Sequence, residues 1–125
     1  MADFSTIASE FVKFYYQTFD TNRAALGGLY RDTSMLTFEQ QPFLGSANIL
    51  EKLQNLPFQK VEHRHDTIDA QPGPEEGSII VMVTGALMVE GSDRPMSFTQ
   101  VFQLRPEAGS YYVFNDIFRL VYPAA

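Results

Sequence analysis

The chain has 125 residues, no cysteine, and fifteen acidic side chains against nine Lys and Arg, which gives a formal net charge of −6. This length suits a single domain, residues 1–125, with a core of useful size. Without cysteine, disulfides, thiol nucleophiles and zinc–thiolate sites are excluded. An acidic chain with no basic stripe is a poor ligand for nucleic acid. No apolar run approaches the ~20 residues that a membrane span needs, and the start carries no secretory signal, so we expect no membrane insertion.

Apolar residues at helical spacing predict a first helix between Phe4 and Phe19. Either Asp3 or Ser5 can serve as its N-cap, and the polar run Asp20-Thr21-Asn22 predicts its end.

Shorter elements follow this helix. We predict a second helix over Arg23–Leu29 and a strand over Met35–Glu39. Pro42 and Gly45 predict a loop, after which Ser46 caps a third helix with leucine and isoleucine on one face.

Beyond this third helix the hydrophobic period changes from helical to two. Four strands are predicted in an antiparallel meander, over residues 58–70, 79–90, 96–104 and 111–122. Because the helices come first and the sheet follows, the pattern predicts an α+β fold.

Both faces of the later strands are apolar. In Ile79–Val89 the two alternating sets are each rich in Ile, Val, Leu and Met, and the last strand is similar. An antiparallel sheet commonly keeps one face polar and solvated. Three helices can cover only one face, so a second copy of the chain is the economical cover for the other. We therefore predict a homodimer that associates sheet to sheet.

His63 and His65 share one face of the first meander strand, a spacing that can begin a metal site, with Asp69 as a third ligand. The alternative is an exposed polar face, because the neighbouring set is equally polar. A bare His-x-His pair is a weak signal, so we expect neither a metal nor a cofactor.

Asp116 lies in an aromatic strand, SYYVFNDIFRLVY. With Tyr15, Tyr16 or Tyr30 nearby, it could sit in an apolar pocket with a raised pKa and serve in proton abstraction or dehydration. Alternatively, it could accept backbone hydrogen bonds or pair with an arginine. Arg119 is too close along the strand to be its natural partner. No second catalytic group completes a constellation.

Acids also stand beside aromatic or loop positions, in Thr37-Phe38-Glu39 and in the Glu90–Asp93 loop. Such acids are most often merely solvated. An aromatic-lined hollow rimmed by acids, however, would hold an apolar side chain flanked by Lys or Arg.

Six runs, in order, resemble the nuclear transport factor 2 family across nearly the whole chain. They are FYYQTFD, LGGLY, LTFE, EKLQNLPFQKVEHR, DAQP and NDIFRL. The resemblance implies a cone-shaped α+β fold of the nuclear transport factor 2-like or cystatin-like kind, a roll in which a strongly bent antiparallel sheet packs on three helices. It also implies a homodimer.

The resemblance further implies a carrier that binds the GDP-bound form of the GTPase Ran and Phe-x-Phe-Gly nucleoporins, in cytoplasm, nucleus and nuclear pore. Positions matching the hollow that receives an aromatic of Ran, and its acidic rim, are Phe38, Glu39, Leu56, Val61, Glu90, Asp93, Met96 and Phe118. Either Glu90 or Asp93 could make the lysine contact. Phe4 matches a nucleoporin contact, and the dimer-face positions are Met82, Val101 and Ile117.

Two alternatives accompany this carrier interpretation. The same fold houses a steroid isomerase and scytalone dehydratase, so a small-molecule enzyme built on Asp116 is one. The whole-chain match favours the carrier and a structural Asp116. The other alternative is a dimerising adaptor in which only Phe4 and its groove act.

Overall fold

Three helices pack against a six-stranded sheet in the computed structural model, which describes residues 3–56, 60–91 and 94–121. The chain runs through helix α1, a 3-10 helix, strands β1 and β2, helix α2, and strands β3 to β6. Their bounds are α1 Phe4–Thr21, the 3-10 helix Arg23–Leu29, β1 Tyr30–Phe38, β2 Gln41–Leu44, α2 Ser46–Gln54, β3 Val61–Pro72, β4 Ile79–Val89, β5 Met96–Glu107 and β6 Ser110–Leu120.

Helix α1 begins after Asp3, as predicted, although the Asp3 side chain makes no capping hydrogen bond. Its buried stripe holds Ala8, Phe11, Val12, Tyr15, Tyr16 and Phe19. Phe14, which the spacing also placed among the apolar positions, is 54% exposed. The stripe is therefore rotated slightly from the one predicted, and it turns Tyr15 and Tyr16 toward the sheet.

The predicted loop at Pro42–Gly45 is wrong, because the chain forms the short edge strand β2 there. Gly45, rather than Ser46, occupies the N-cap position of α2, with φ +89°, a conformation that suits glycine. The Gly45 N–H donates to Ser34 O, which ties the start of α2 to β1.

The strand order is β2-β1-β6-β5-β4-β3, and all neighbours are antiparallel except β1 and β6, which run parallel. The sheet is therefore mixed, whereas the sequence predicted a purely antiparallel one. The meander from β3 to β6 reverses direction three times, so β6 returns beside β1 in the same sense. The hydrophobic pattern of a strand does not show whether the strand runs parallel or antiparallel to a partner far away in the sequence. The layers are the predicted ones, with helices packed against a single sheet that does not close into a barrel.

Two bulges change which side chains face the helices. The register shifts between His65 and Thr67 in β3, and between Val113 and Asn115 opposite β5. One extra residue in a strand moves the residues beyond it to the other face. As a result Val113, not Phe114, continues the buried set of β6 that includes Asp116 and Phe118.

The outer face of the sheet carries an apolar row across four strands. Met82, Val101, Ile117 and Thr37 are successive partners on β4, β5, β6 and β1. Met82 is 44% exposed and Ile117 is 51% exposed. A neighbouring row adds Met35 and Ile80, also exposed. The three predicted dimer-face residues thus share one row, on the face away from the helices.

Within the described ranges, no helix has the length and apolar character that crossing a membrane requires.

Candidate functional site

A small hollow lies between the helices and the sheet. Its volume is about 20 Å³, and its lining consists of Tyr15, Phe19, Leu36, Phe38, Leu53, His63, Leu87, Gln100, Asp116 and Phe118. A cavity of roughly 150 Å³ is the size that takes up benzene. The hollow as it stands is therefore too small for a ring-shaped substrate or for the aromatic side chain of a partner.

Asp116 lies at the inner end of the hollow and is 1% exposed. One of its oxygens, Oδ2, accepts a hydrogen bond from the Tyr30 hydroxyl at 2.7 Å and a longer one from the Tyr15 hydroxyl at 3.4 Å. The other, Oδ1, accepts from the Gln100 amide at 2.8 Å. The two tyrosine hydroxyls are also 2.7 Å apart. The predicted neighbours Tyr15 and Tyr30 are thus confirmed. The partners of the carboxylate are these two tyrosines and Gln100, in place of the backbone N–H groups or the arginine suggested as an alternative.

Burial raises the pKa of Asp116 to about 6, and the hydrogen bonds from Gln100, Tyr30 and Tyr15 oppose that rise. Burial, followed by the nearby Asp116 charge, also holds the pKa values of Tyr15 and Tyr30 well above the ordinary value. The tyrosines therefore remain protonated donors. Both Asp116 oxygens already accept hydrogen bonds from buried side chains, and the hollow beside them holds only about 20 Å³, so the arrangement suits a structural acid.

A second group of polar side chains is connected to Asp116 through Gln100. The Tyr16 hydroxyl donates to Gln100 Oε1 at 2.7 Å, and the Tyr16 ring stacks on the His63 ring at 4.7 Å. His63 Nδ1 lies 2.6 Å from Asp20 Oδ1, and the His63 backbone N–H donates to Asp20 Oδ2. A buried imidazole is thus fixed by an acid from the end of α1.

The metal hypothesis is not supported. In the part of the chain that the structure describes, no group of three or more His, Cys, Asp or Glu side chains could hold a metal. The bulge at Asp66 separates His63 from Thr67 and Asp69. The alternative of an exposed polar face is also wrong for His63, whose side chain is 3% exposed.

The mouth of the hollow is built around Phe38. Its ring stacks on the Phe118 ring at 4.9 Å between centroids, with 10° between planes, and Phe118 stacks in turn on Phe98 at 5.5 Å. Lys52 Nζ, from α2, lies 5.3 Å from the Phe38 ring centroid and 5.5 Å from that of Phe43. Both distances fall within cation–π range. The structure thus brings Phe38 and Phe118 together as expected.

Glu39 begins a strained two-residue turn between β1 and β2. Glu39 and Gln40 have φ values of 49° and 79°, a conformation that favours Asn-Gly and costs other residues free energy. The turn is held because Glu39 N–H donates to Phe118 O at 3.1 Å and Glu39 Oε1 accepts from Leu120 N–H at 2.5 Å. Strain of this kind clusters at ligand-binding positions.

The remaining predicted rim and lining residues are more dispersed. Leu56 is half-buried against the core, Val61 is buried, and Met96 is exposed at the start of β5. Val61 and Glu90 line a separate, open groove of about 680 Å³ beside the end of α1. Asp93 lies outside the described residues. Phe4, the predicted nucleoporin contact, is half-buried at the first turn of α1.

Sequence reasoning missed Gln100 and Lys52. Gln100 interrupts the inward alternation Phe98, Phe102 and Leu104 of β5, and a polar residue in such a set is a usable signal for a buried network. Lys52 follows Glu51 on a helix with an ordinary amphipathic pattern, so no local signal marks it. Its role depends on where β1 and β2 place their rings.

A six-stranded sheet with helices packed against it and a small aromatic hollow between the two layers defines a protein of the nuclear transport factor 2-like fold. The nuclear transport factor 2 domain model matches residues 7–120. The chain is 66% identical over 125 residues to nuclear transport factor 2 of Davidiella tassiana, covering all of both chains. It is 55% identical over 122 residues to that of Saccharomyces cerevisiae, covering 98% of each.

Among solved structures, Ntf2 from Cryptosporidium parvum superposes with a TM-score of 0.89 at 48% identity, covering 94% of each chain. The chain therefore belongs to the nuclear transport factor 2 family. Its close homologues are named for transport, so it is a transport carrier rather than an enzyme. The isomerase or dehydratase alternative is accordingly set aside.

Proposed function

We propose that this protein is a nuclear import carrier that binds GDP-bound Ran at the mouth of the hollow. In this proposal it also binds Phe-x-Phe-Gly nucleoporins, works as a homodimer, and moves between cytoplasm and nucleus through the nuclear pore. Membership of the nuclear transport factor 2 family supports the transport role. The partners and the binding residues are the parts that need testing.

The observation that carries the proposal is the mouth itself, where the stacked rings of Phe38 and Phe118 lie beside the strained, acidic turn at Glu39. Glu90 stands at the same end of the sheet, directly after β4. An aromatic anchor with acids beside it fits a partner whose aromatic side chain is flanked by Lys or Arg. The Asp116 carboxylate, by contrast, already accepts hydrogen bonds from Tyr30, Tyr15 and Gln100.

Calorimetric titration with Ran, loaded once with GDP and once with a GTP analogue, tests the partner and its nucleotide state. Glu39→Lys is an ambiguous variant, because it removes the acceptor of the Leu120 N–H as well as reversing a charge. Glu39→Gln is sharper, since an amide oxygen can still accept that hydrogen bond. We expect Glu39→Gln and Glu90→Gln each to weaken binding of the GDP form by about ten-fold or more.

Glu76→Gln is the matched control. Glu76 is exposed and precedes β4, whereas Glu90 follows it, so an eleven-residue strand, roughly 35 Å long, separates them. The control loses the same charge at the far end and should bind Ran as the parent does. Equal weakening by all three variants would indicate a general effect of net charge and contradict the assigned rim.

The homodimer is supported by the exposed apolar row Met82–Val101–Ile117 on the sheet face away from the helices. Ile117→Glu should convert the dimer to a monomer in sedimentation experiments at micromolar concentration, because a charge would be buried at the centre of the interface. Phe14→Glu, at an equally exposed site on α1, should leave the mass unchanged. A monomeric parent protein would refute the dimer.

The nucleoporin contact rests on Phe4, whose ring packs against the core from the first turn of α1. Phe4→Ala should reduce binding to an immobilised Phe-x-Phe-Gly peptide while leaving Ran binding intact. Glu39→Gln should do the reverse. If both variants lose the same partner, the two sites are not separate.

A further inference from the structure

We infer that Lys52 is a positioning residue that holds Phe38 closed over the hollow, and that it thereby limits how readily an aromatic side chain enters. This inference rests on the proposed function, because it concerns the same mouth. It adds a residue and a step that the resemblance did not supply.

At about 20 Å³, the hollow cannot take a phenyl ring while Phe38 stays in place. Phe38 is the last residue of β1 and lies against the mouth, and one face of its ring is covered by Phe118. Phe118 is 7% exposed and is itself stacked on the buried Phe98. Among these three rings, Phe38 is the one at the surface, so it is the ring that can move aside.

Strand register explains why one lysine can contact two rings. Phe43 of β2 is the cross-strand partner of Leu36, and Phe38 lies two residues further along β1. Phe38 and Phe43 are therefore diagonal neighbours on the same face of the sheet, the face that packs against α2. Lys52 reaches both from α2, one residue before the buried Leu53.

Among the residues that the structure describes, the Lys52 ammonium forms no ion pair with a carboxylate. Within the ranges that the structure describes, the ion pairs join other residues, namely Arg31–Glu107, His63–Asp20, Arg64–Asp66 and Arg105–Glu75. The ring contacts are therefore the interactions that fix its position. A half-buried cation within cation–π distance of two rings is stabilised by both, and it thereby restrains the Phe38 ring.

A partner ring must either push Phe38 out of the mouth or replace Lys52 on its face, and both routes break the Lys52 contact. The affinity observed for a protein that must first open is reduced by the fraction of open molecules. Removing the contact should therefore strengthen binding, by about two- to five-fold for an interaction of this kind. A residue that only supported the fold would not improve binding when removed.

The test uses Lys52→Met, which keeps an unbranched apolar stem of nearly the same length but removes the charge, and Lys52→Arg, which keeps a cation. Lys13→Met is the control, since it removes the same charge from an exposed position on α1. Because the chain has no tryptophan, Phe38→Trp provides a fluorophore whose acrylamide quenching reports the motion of this ring alone. If Phe38→Trp does not fold, 4-fluorophenylalanine at position 38 reports the same motion through its ¹⁹F linewidth.

We expect Lys52→Met to increase quenching of the position-38 reporter about two-fold or more, Lys52→Arg to restore it, and Lys13→Met to have no effect. With Phe38 present, stopped-flow mixing with GDP-loaded Ran should show faster association and tighter binding for Lys52→Met alone. Unchanged quenching, or weaker binding by Lys52→Met, would overturn the inference. If neither the parent nor any variant binds Ran, the proposed function fails. The quenching measurements alone then decide whether Lys52 holds the Phe38 ring.

Discussion

The two ends of the hollow differ in how fully their groups are satisfied. At the inner end, the Asp116 oxygens accept hydrogen bonds from Tyr30, Tyr15 and Gln100, all from buried side chains. At the mouth, Glu39 adopts a strained φ, and one of its carboxylate oxygens accepts a hydrogen bond from the Leu120 N–H of β6. Buried charge alone therefore does not mark a functional site in this molecule. Remaining bonding capacity and stored strain are better guides.

The largest expected effect is a loss of stability at Gly85, where β4 packs closely against β3 in the sheet that supports both ends of the hollow. A Cβ added at Gly85 would lie 2.0 Å from Arg64 O, a backbone atom in the bulged part of β3. Gly85→Ala must therefore displace β3 together with His63, and we expect a loss of unfolding free energy on the order of 3 kcal/mol. Chemical denaturation measures it.

Gly28→Ala is the matched control for Gly85→Ala. No atom lies within 4 Å of a Cβ built at Gly28, so this variant should unfold near the parent's midpoint. If Gly85→Ala were equally mild, the close packing of β3 on β4 would not be the constraint that we describe.

A second prediction tests the inner end through pH. The folded-state pKa of Asp116 is raised from 3.8 to about 6, so between about pH 4 and pH 6 the folded protein keeps a proton that the unfolded chain has released. This contribution to stability is present at low pH and is lost as pH rises through about 6. The total is on the order of 3 kcal/mol.

Asp116→Asn removes this titration while keeping a polar side chain of the same shape. As pH increases from 4 to 7, the parent should therefore lose unfolding free energy relative to the variant. Denaturation at four pH values and fixed protein concentration measures it, and contributions from all other shared groups cancel. A constant difference across that range would contradict the raised pKa.

The smallest expected effect is a change in stability at Gln40, which tests the strain in the turn at the mouth. Gln40 has φ 79° without being glycine, so Gln40→Gly should relieve strain and increase the unfolding free energy by about 0.5–1 kcal/mol. Gln40→Ala keeps the strain and should give no such gain. Thermal denaturation distinguishes the two, and a loss of stability in Gln40→Gly would argue that the turn is not strained.

Much of the fold could be predicted from the sequence, because α1, α2 and the meander strands have clear hydrophobic periods. Strand β2 was missed, since Pro42 and a Glu-Gln turn carry none of the usual hairpin signals. The bulges at Asp66 and Phe114 were missed because one extra residue leaves no local mark. The parallel pairing of β1 and β6 depends on the path of the whole chain.

The site was predicted in part. Asp116 with Tyr15 and Tyr30 was foreseen, because an acid among aromatics must find polar partners once buried. The Asp20–His63 pair was not, since its members lie 43 residues apart and meet only after α1 packs on β3. Lys52 escaped for the same reason. Its two rings come from different strands, and their positions depend on strand register.

The parallel pairing of β1 with β6 also has a consequence for the order in which the molecule can be assembled. Strand β6, which carries Asp116 and Phe118, is made after all of its partners, and these include Tyr15, Tyr30 and Phe38, about 80 to 100 residues earlier in the chain. Contacts so distant in sequence form late and slow the folding of small domains. During synthesis the early helices therefore remain partly uncovered until β6 has emerged, and only then can the mouth of the hollow form.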